Sequence, residues 1–217
     1  MRKSSRRRIC DSTNSPAEAG FDGVCGSGFE LAASYAVPDA NILPMSMHLE
    51  MMSAIAAAVA AVVMKDKTFP KDTSLRAGGR QELGSIETFQ GKIGAAIDAR
   101  QDSNLVIIAR VEALIAGLRQ DDALRWAYAY QDASADAILI HSRQKTPAEI
   151  LSFIDAWKGR IPLVLVPMAY PQLTESAIAE SGKVGIVIYG NHAIRAAVGA
   201  MVASMVWKPP YRPSTIS

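Results

Sequence analysis

The chain is poor in cysteine and histidine and carries almost no net charge. Its two cysteines, Cys10 and Cys25, make no disulfide framework and lack metal-ligand spacing. A formal net charge of +2 is too small to point to a nucleic-acid partner. The longest apolar run, Ala54 to Met64, is eleven residues, whereas a membrane-spanning helix needs about 20. It is alanine-rich, which suits a packing helix. No apolar segment near the start has the form of a secretory signal. These absences lead to the expectation of a cytoplasmic protein that uses neither membrane nor nucleic acid.

What is present is ordinary globular material. Hydrophobic residues make up 49% and charged residues 20% of 217 positions, enough for one domain with a substantial core. Charge is concentrated at the start, where Arg2, Lys3, Arg6, Arg7 and Arg8 precede the first acid, Asp11. Residues 1–16 are therefore expected to be a disordered basic tail. Residues 208–217 hold three prolines, cannot form a regular helix, and are expected to be a second disordered tail. The domain is placed at 17–207.

Six short apolar runs end in polar residues: Phe21 to Cys25, Ala61 to Met64, Leu105 to Ala109, Ala135 to Ile140, Leu163 to Val166 and Val184 to Tyr189. They are rich in Val and Ile, unbroken rather than alternating, and bounded by turn residues. That pattern predicts parallel strands buried on both faces. Between them, Ile86 to Arg100 has apolar residues at 86, 89, 93 and 97, the helical spacing. Gln120 to Ala133, Pro147 to Trp157, Thr174 to Ser181 and Ala193 to Trp207 also read as helices. Thr146 is the expected N-cap of the third, with Pro147 at its first position. Strand alternating with helix means an α/β fold around a parallel sheet.

In such folds the site gathers at the C-terminal ends of the strands. Those ends carry Ser27, Lys65, Asp66, Arg110, Glu112, His141 and Asn191. Charge, hydroxyl and imidazole on one rim suit a small anionic ligand. The same residues are equally compatible with rim ion pairs, Arg110 with Glu112 and Asp66 with Lys67, that only satisfy strand ends. His141 is also compatible with a structural histidine, His48 is read as structural, and Asn191 as a cap of the last helix.

The run from Lys65-Asp66-Lys67 through Phe69-Pro70-Lys71 to Thr73-Ser74 resembles the E-D-K-x-F-P-K loop of the phosphoenolpyruvate mutase/isocitrate lyase superfamily. Gly79-Arg80-Gln81, Ile108 to Ala113, Ala135 to Ser142 and Gly190-Asn191-His192 follow in family order. Gly26-Ser27-Gly28-Phe29 and Val37-Pro38-Asp39 resemble the first substrate loop. Thr73, where the mutases usually have Asn, resembles the branch that hydrolyses phosphonopyruvate.

The resemblance implies a (β/α)8 TIM-barrel type fold and a homo-oligomer. It also implies magnesium-assisted cleavage of the C–P bond of phosphonopyruvate to pyruvate and phosphate. It assigns catalytic roles to Asp39, Lys71, Thr73, Arg110 and His141, and substrate contacts to Ser27, Gly28, Phe29, Ser74 and Arg110. Asp39 is the one family metal carboxylate that remains.

The chain also departs from the family pattern. The D-x-D strand that carries the principal magnesium ligand is missing before Ala61, and Lys65 stands where the family has Glu. A cation replaces a carboxylate at a metal that requires oxygen ligands. The first family strand is expected to be absent before Phe21, Cys25 replaces a pocket Trp, and the last helix is expected to be incomplete. About six strand–helix units are therefore expected in an incomplete barrel, with activity weak or lost. The alternatives are a non-catalytic remnant that binds a small 2-oxo acid or a partner subunit, and a mutase or C–C lyase of the same superfamily.

Overall fold

The computed structural model describes residues 7–10, 22–24, 27–40, 42–44, 46–47, 50, 61–69, 72–74, 78–79, 81–190 and 192–206. Seven parallel strands form one sheet. They are β1 (Arg7–Cys10), β2 (Gly23–Val24), β3 (Ala61–Lys65), β4 (Val106–Val111), β5 (Ala137–Ile140), β6 (Leu163–Leu165) and β7 (Val184–Tyr189). The helices are α1 (Gly28–Ser34), α2 (Ile86–Ala99), α3 (Ala113–Ala116), α4 (Gln120–Asp132), α5 (Ala148–Ala156), α6 (Glu175–Glu180) and α7 (His192–Val206).

The strand order is β2-β1-β7-β6-β5-β4-β3. Apart from β2 and β3, successive strands are neighbours, and the last strand lies beside the first, which is barrel order. β2 and β3, consecutive in the chain, stand at opposite ends of the series, and among the described residues no pairing joins them.

Two expectations are corrected here. Among the described residues the sheet has seven strands where six were expected, and the additional one, β1, precedes Phe21. Arg7–Cys10 lies within the segment expected to be a disordered tail, yet it pairs along its whole length with Arg7↔Ile186 through Cys10↔Tyr189. The basic residues masked a short strand signal, because backbone pairing to an existing strand needs no apolar sequence. Residues 208–217 lie outside the described residues.

The alternation of strand side chains sorts the core into two layers. Ile108, Ala137, Leu139, Val164 and Ile188 form the cluster inside the curved sheet. Ala109, Val111, Ile138, Ile140, Leu163 and Leu165 point the other way, into a larger cluster with Phe89, Ile93, Trp126, Tyr130, Phe153 and Trp157 of the helices. β5 and β6 are buried at every position, the reason their sequences run apolar without alternation.

The helices end close to where their patterns stop. Ser85 caps α2, its Oγ accepting from the Thr88 N–H at 3.2 Å, and Thr174 caps α6 from the Ala177 N–H at 3.2 Å. Thr146 does not cap α5. Pro147 occupies the cap position with helical backbone and without a side-chain bond, so the helix begins one residue later than expected.

Candidate active site

Strand parity aims the site. In β3 the residues Ala61 and Val63 face the interior, so Lys65 does too; in β4 Ile108 does, and with it Arg110; in β5 Ala137 and Leu139 do, and with them His141, just past the strand end. The register pairs Lys65 with Arg110 and Arg110 with Leu139. Three basic side chains thus meet at one end of the interior because Lys65 and Arg110 sit at the last inward position of their strands and His141 continues the inward parity of β5 one step past its end.

Glu112 is the anion at the centre. It is 0% exposed. Arg110 donates to it through Nε, the Ser74 hydroxyl donates to its Oε2, and Lys67 Nζ lies 3.0 Å from the same oxygen. Burial works to raise its pKa, but the charges of Arg110, Lys65 and Lys67 and the Ser74 hydrogen bond overcome it and hold the carboxyl down at about 2. Arg110 Nη2 also donates to Ser74 Oγ at 3.3 Å.

Asp66 behaves in the opposite way two positions along the same rim. It has the other parity and turns toward the helix layer, where Tyr130 of α4 donates to it at 3.0 Å. It accepts the Glu112 N–H at 3.1 Å. Burial, reinforced by the Glu112 charge, raises its carboxyl to about 7, against the hydrogen bonds that favour ionisation. Burial and the neighbouring Asp66 in turn push the Tyr130 phenol up.

One of the two rim ion pairs read from the sequence is present, Arg110 with Glu112. The other is not: Lys67 pairs with Glu112, and Asp66 is left to hydrogen bonds.

His141 is 8% exposed, and its Nδ1 has no hydrogen-bond partner. Burial lowers its pKa to about 4, helped by the cations Arg110 and Lys65 and opposed by Glu112. The ring is neutral near pH 7, with an unsatisfied nitrogen beside a group of cations.

Thr73 and Ser74 are half-buried on the loop after β3. The Thr73 N–H is accepted by Asp72 Oδ1 at 3.1 Å, and its carbonyl accepts from Gln81 Nε2 at 3.1 Å. Ser27 and Gly28 begin α1, and the Ser27 hydroxyl accepts from the Glu30 N–H at 3.3 Å, so that side chain is engaged as an N-cap. Asp39 is half-buried in a turn. The structure joins Lys67, Ser74, Arg110 and Glu112 in one bonded network; the bonds described for Ser27 do not reach it. Lys71 and Asn191 lie outside the described residues, as do the side chains of Phe29 and Cys25.

Lys67, Gln81 and Tyr130 carry no site role in the sequence reading. Lys67 and Gln81 do fall in family-like motifs, but fourteen residues of separation gave no sign of contact. Only the long-range pairing of the loop ends brings them together.

Among the described residues the donor set at this rim does not fit magnesium. Among the described residues no three His, Cys, Asp or Glu side chains are placed to share a cation. The buried carboxylate of Glu112 is already committed to two cations and a hydroxyl, and Asp66 is directed away toward Tyr130.

The family model described as phosphoenolpyruvate phosphomutase matches residues 57–206. The phosphonopyruvate hydrolase of Variovorax sp. (strain Pal2) is 62% identical, with 85% of this chain and 74% of that protein covered. A crystal structure of phosphonopyruvate hydrolase in complex with oxalate and Mg++ superposes with a TM-score of 0.84 at 54% identity, over 93% of this chain and 81% of that one. A phosphoenolpyruvate phosphomutase from Streptomyces platensis subsp. rosaceus superposes at 0.87 with 36% identity, covering 93% and 82%. The chain belongs to the phosphoenolpyruvate mutase family, within the superfamily of TIM-barrel type that includes isocitrate lyase. Among the described residues no helix is long and apolar enough to cross a membrane.

Proposed function

We propose that the chain carries a phosphonopyruvate-directed site of hydrolase type, with hydrolysis of the C–P bond as its reaction and turnover far below that of a metal-loaded relative. One observation carries the reading: the site holds more positive than negative charge. Lys67 and Arg110 face one carboxylate held fully ionised, Glu112, while Asp66, raised to about 7, is only partly ionised near pH 7 and His141 is neutral. Excess cation in a low-dielectric site favours an anionic guest.

In this reading Arg110 clamps an oxyanion, since its planar fork suits a carboxylate or phosphonate. Lys71, Thr73, Ser74 and His141 surround the phosphoryl group; Ser27, Gly28 and Phe29 hold the carboxylate end; Asp39 completes the far side. Water adds to phosphorus as the C–P bond breaks, and its electron pair passes to carbon as the enolate of pyruvate, which is then protonated. Phosphate is the second product. A loose, metaphosphate-like transition state needs chiefly positioned charge, which these residues would supply. We further propose a cytoplasmic homo-oligomer.

The donor set favours a second reading, a binder of 2-oxo dianions without turnover. Phosphate release from phosphonopyruvate, measured with magnesium and with chelator, separates the two. Slow release indifferent to chelation is the expected result. Strong stimulation by magnesium would overturn the donor-set argument. Saturable binding without release would leave the second reading, and neither binding nor release would sink both.

A further inference from the structure

Lys67 is a buried cation that has no place in the reaction outlined above. Its ammonium is 7% exposed as a residue and lies among four acceptors. The Asp72 carbonyl is at 3.0 Å, Ser74 Oγ at 3.1 Å and Glu112 Oε2 at 3.0 Å, and Gln81 Oε1 accepts a further bond. Gln81 passes the constraint on, because its Nε2 donates to the Thr73 carbonyl. One ammonium thus reaches Asp72 and Ser74 directly and Thr73 through a single intermediary.

The base of this arrangement is fixed independently. Gly84 N–H donates to the Asp66 carbonyl at 2.8 Å, Thr68 N–H donates to the Glu82 carbonyl at 3.1 Å, and Lys67 and Leu83 form an antiparallel bridge. Lys67 therefore sits at the pinned base of the loop, while Thr73 and Ser74 lie farther out on it. Three charge-assisted donors from one rigidly based side chain are a short route for orienting that stretch.

We propose that Lys67 is a positioning residue that sets Asp72–Ser74 beside Arg110 and Glu112, acting through Gln81 and the loop backbone rather than by touching a ligand. The choice of ligand in the test rests on the phosphonopyruvate reading; the positioning itself does not.

Three variants test it: Lys67→Met, Gln81→Leu, and Lys67→Met combined with Glu112→Gln. Hydrogen exchange of peptides covering Asp72–Ser74, in the unliganded protein, reports the loop; calorimetric titration with phosphonopyruvate reports the site. Lys67→Met and Gln81→Leu should each speed exchange and weaken binding roughly tenfold, about the worth of one charge-assisted hydrogen bond. The double variant restores charge balance and should stay defective in both readouts.

A Lys67 that merely neutralises Glu112 gives a different pattern. Gln81→Leu would then be silent and the double variant would recover, and either result overturns the proposal. Faster exchange with unchanged affinity would overturn it as well. If Lys67→Met fails to fold, Gln81→Leu decides alone, since it leaves every charge in place. If the parent protein does not bind phosphonopyruvate, the functional reading fails, and the exchange pattern still decides the role of Lys67.

Discussion

The two sides of the rim differ. Around β3, β4 and β5, Lys67, Ser74, Arg110 and Glu112 are tied into one network, with Asp66 and Tyr130 behind it. Around β2 and α1, Ser27 caps its own helix, and Asp39 lies in a half-buried turn. The sheet shows the same contrast. β5 and β6 have neighbours on both sides and are wholly buried, whereas β3, at the end of the strand series, leaves Val62 39% exposed. A strand flanked on both sides has both faces covered by the elements its neighbours bring, and a strand at the end of the series does not.

The comparison can be tested most severely at Glu112. Glu112→Ala leaves Lys67 and Arg110 as buried cations without their anion, and removal of one partner of such a pair costs about 3–5 kcal/mol. Urea unfolding should show a loss of that size; a loss below about 1 kcal/mol would mean that water already screens the cluster. Next comes the interior of the complete side. Leu139→Ala removes a side chain buried inside the sheet, for an expected cost of about 3 kcal/mol in the same measurement.

Asp66 sharpens the comparison through pH. Its folded pKa, about 7, lies above its ordinary 3.8, so between those values the native state binds more protons than the unfolded chain. Its contribution to stability is therefore present at low pH and lost as pH rises from about 4 to about 7. His141, with its folded pKa lowered to about 4 from 6.5, acts in the opposite direction: stability falls as pH drops from 6.5 to 4. The informative quantity is thus a difference between proteins. Asp66→Asn should gain stability relative to the parent as pH is raised from 5 to 7, on the order of 1–2 kcal/mol. A pH-independent difference would show that Asp66 is ionised in the folded protein.

The smallest effect belongs to the end of the sheet. Val62→Ala on β3 should cost no more than about 0.5–1 kcal/mol, because the side chain is already partly in water. A cost like that of Leu139→Ala would mean that something covers β3 in solution.

Much of this was legible in the residues. Unbroken runs such as Ala137-Ile138-Leu139-Ile140 announced buried parallel strands, since a strand covered on both faces needs no polar alternation. Motif order from Lys65 to His192 placed the chain in its family. β1 was not legible, because Arg7-Arg8-Ile9-Cys10 has the composition of a tail and becomes a strand only through pairing with β7. The fate of the rim charges was equally hidden. Pairing of Asp66 with Lys67 was plausible from adjacency, but neighbouring residues on an extended chain point to opposite faces.

The sequence alone determined the α/β alternation, the strand ends that bear the polar residues, and the family, since these follow from local pattern and residue order. The tertiary structure decided which carboxylate is charged. Asp66 and Glu112 are both buried acids, and only the three-dimensional placement of Lys67, Arg110 and Ser74 around Glu112, and of Asp66 away from those cations with the Glu112 charge nearby, drives their ionisation in opposite directions.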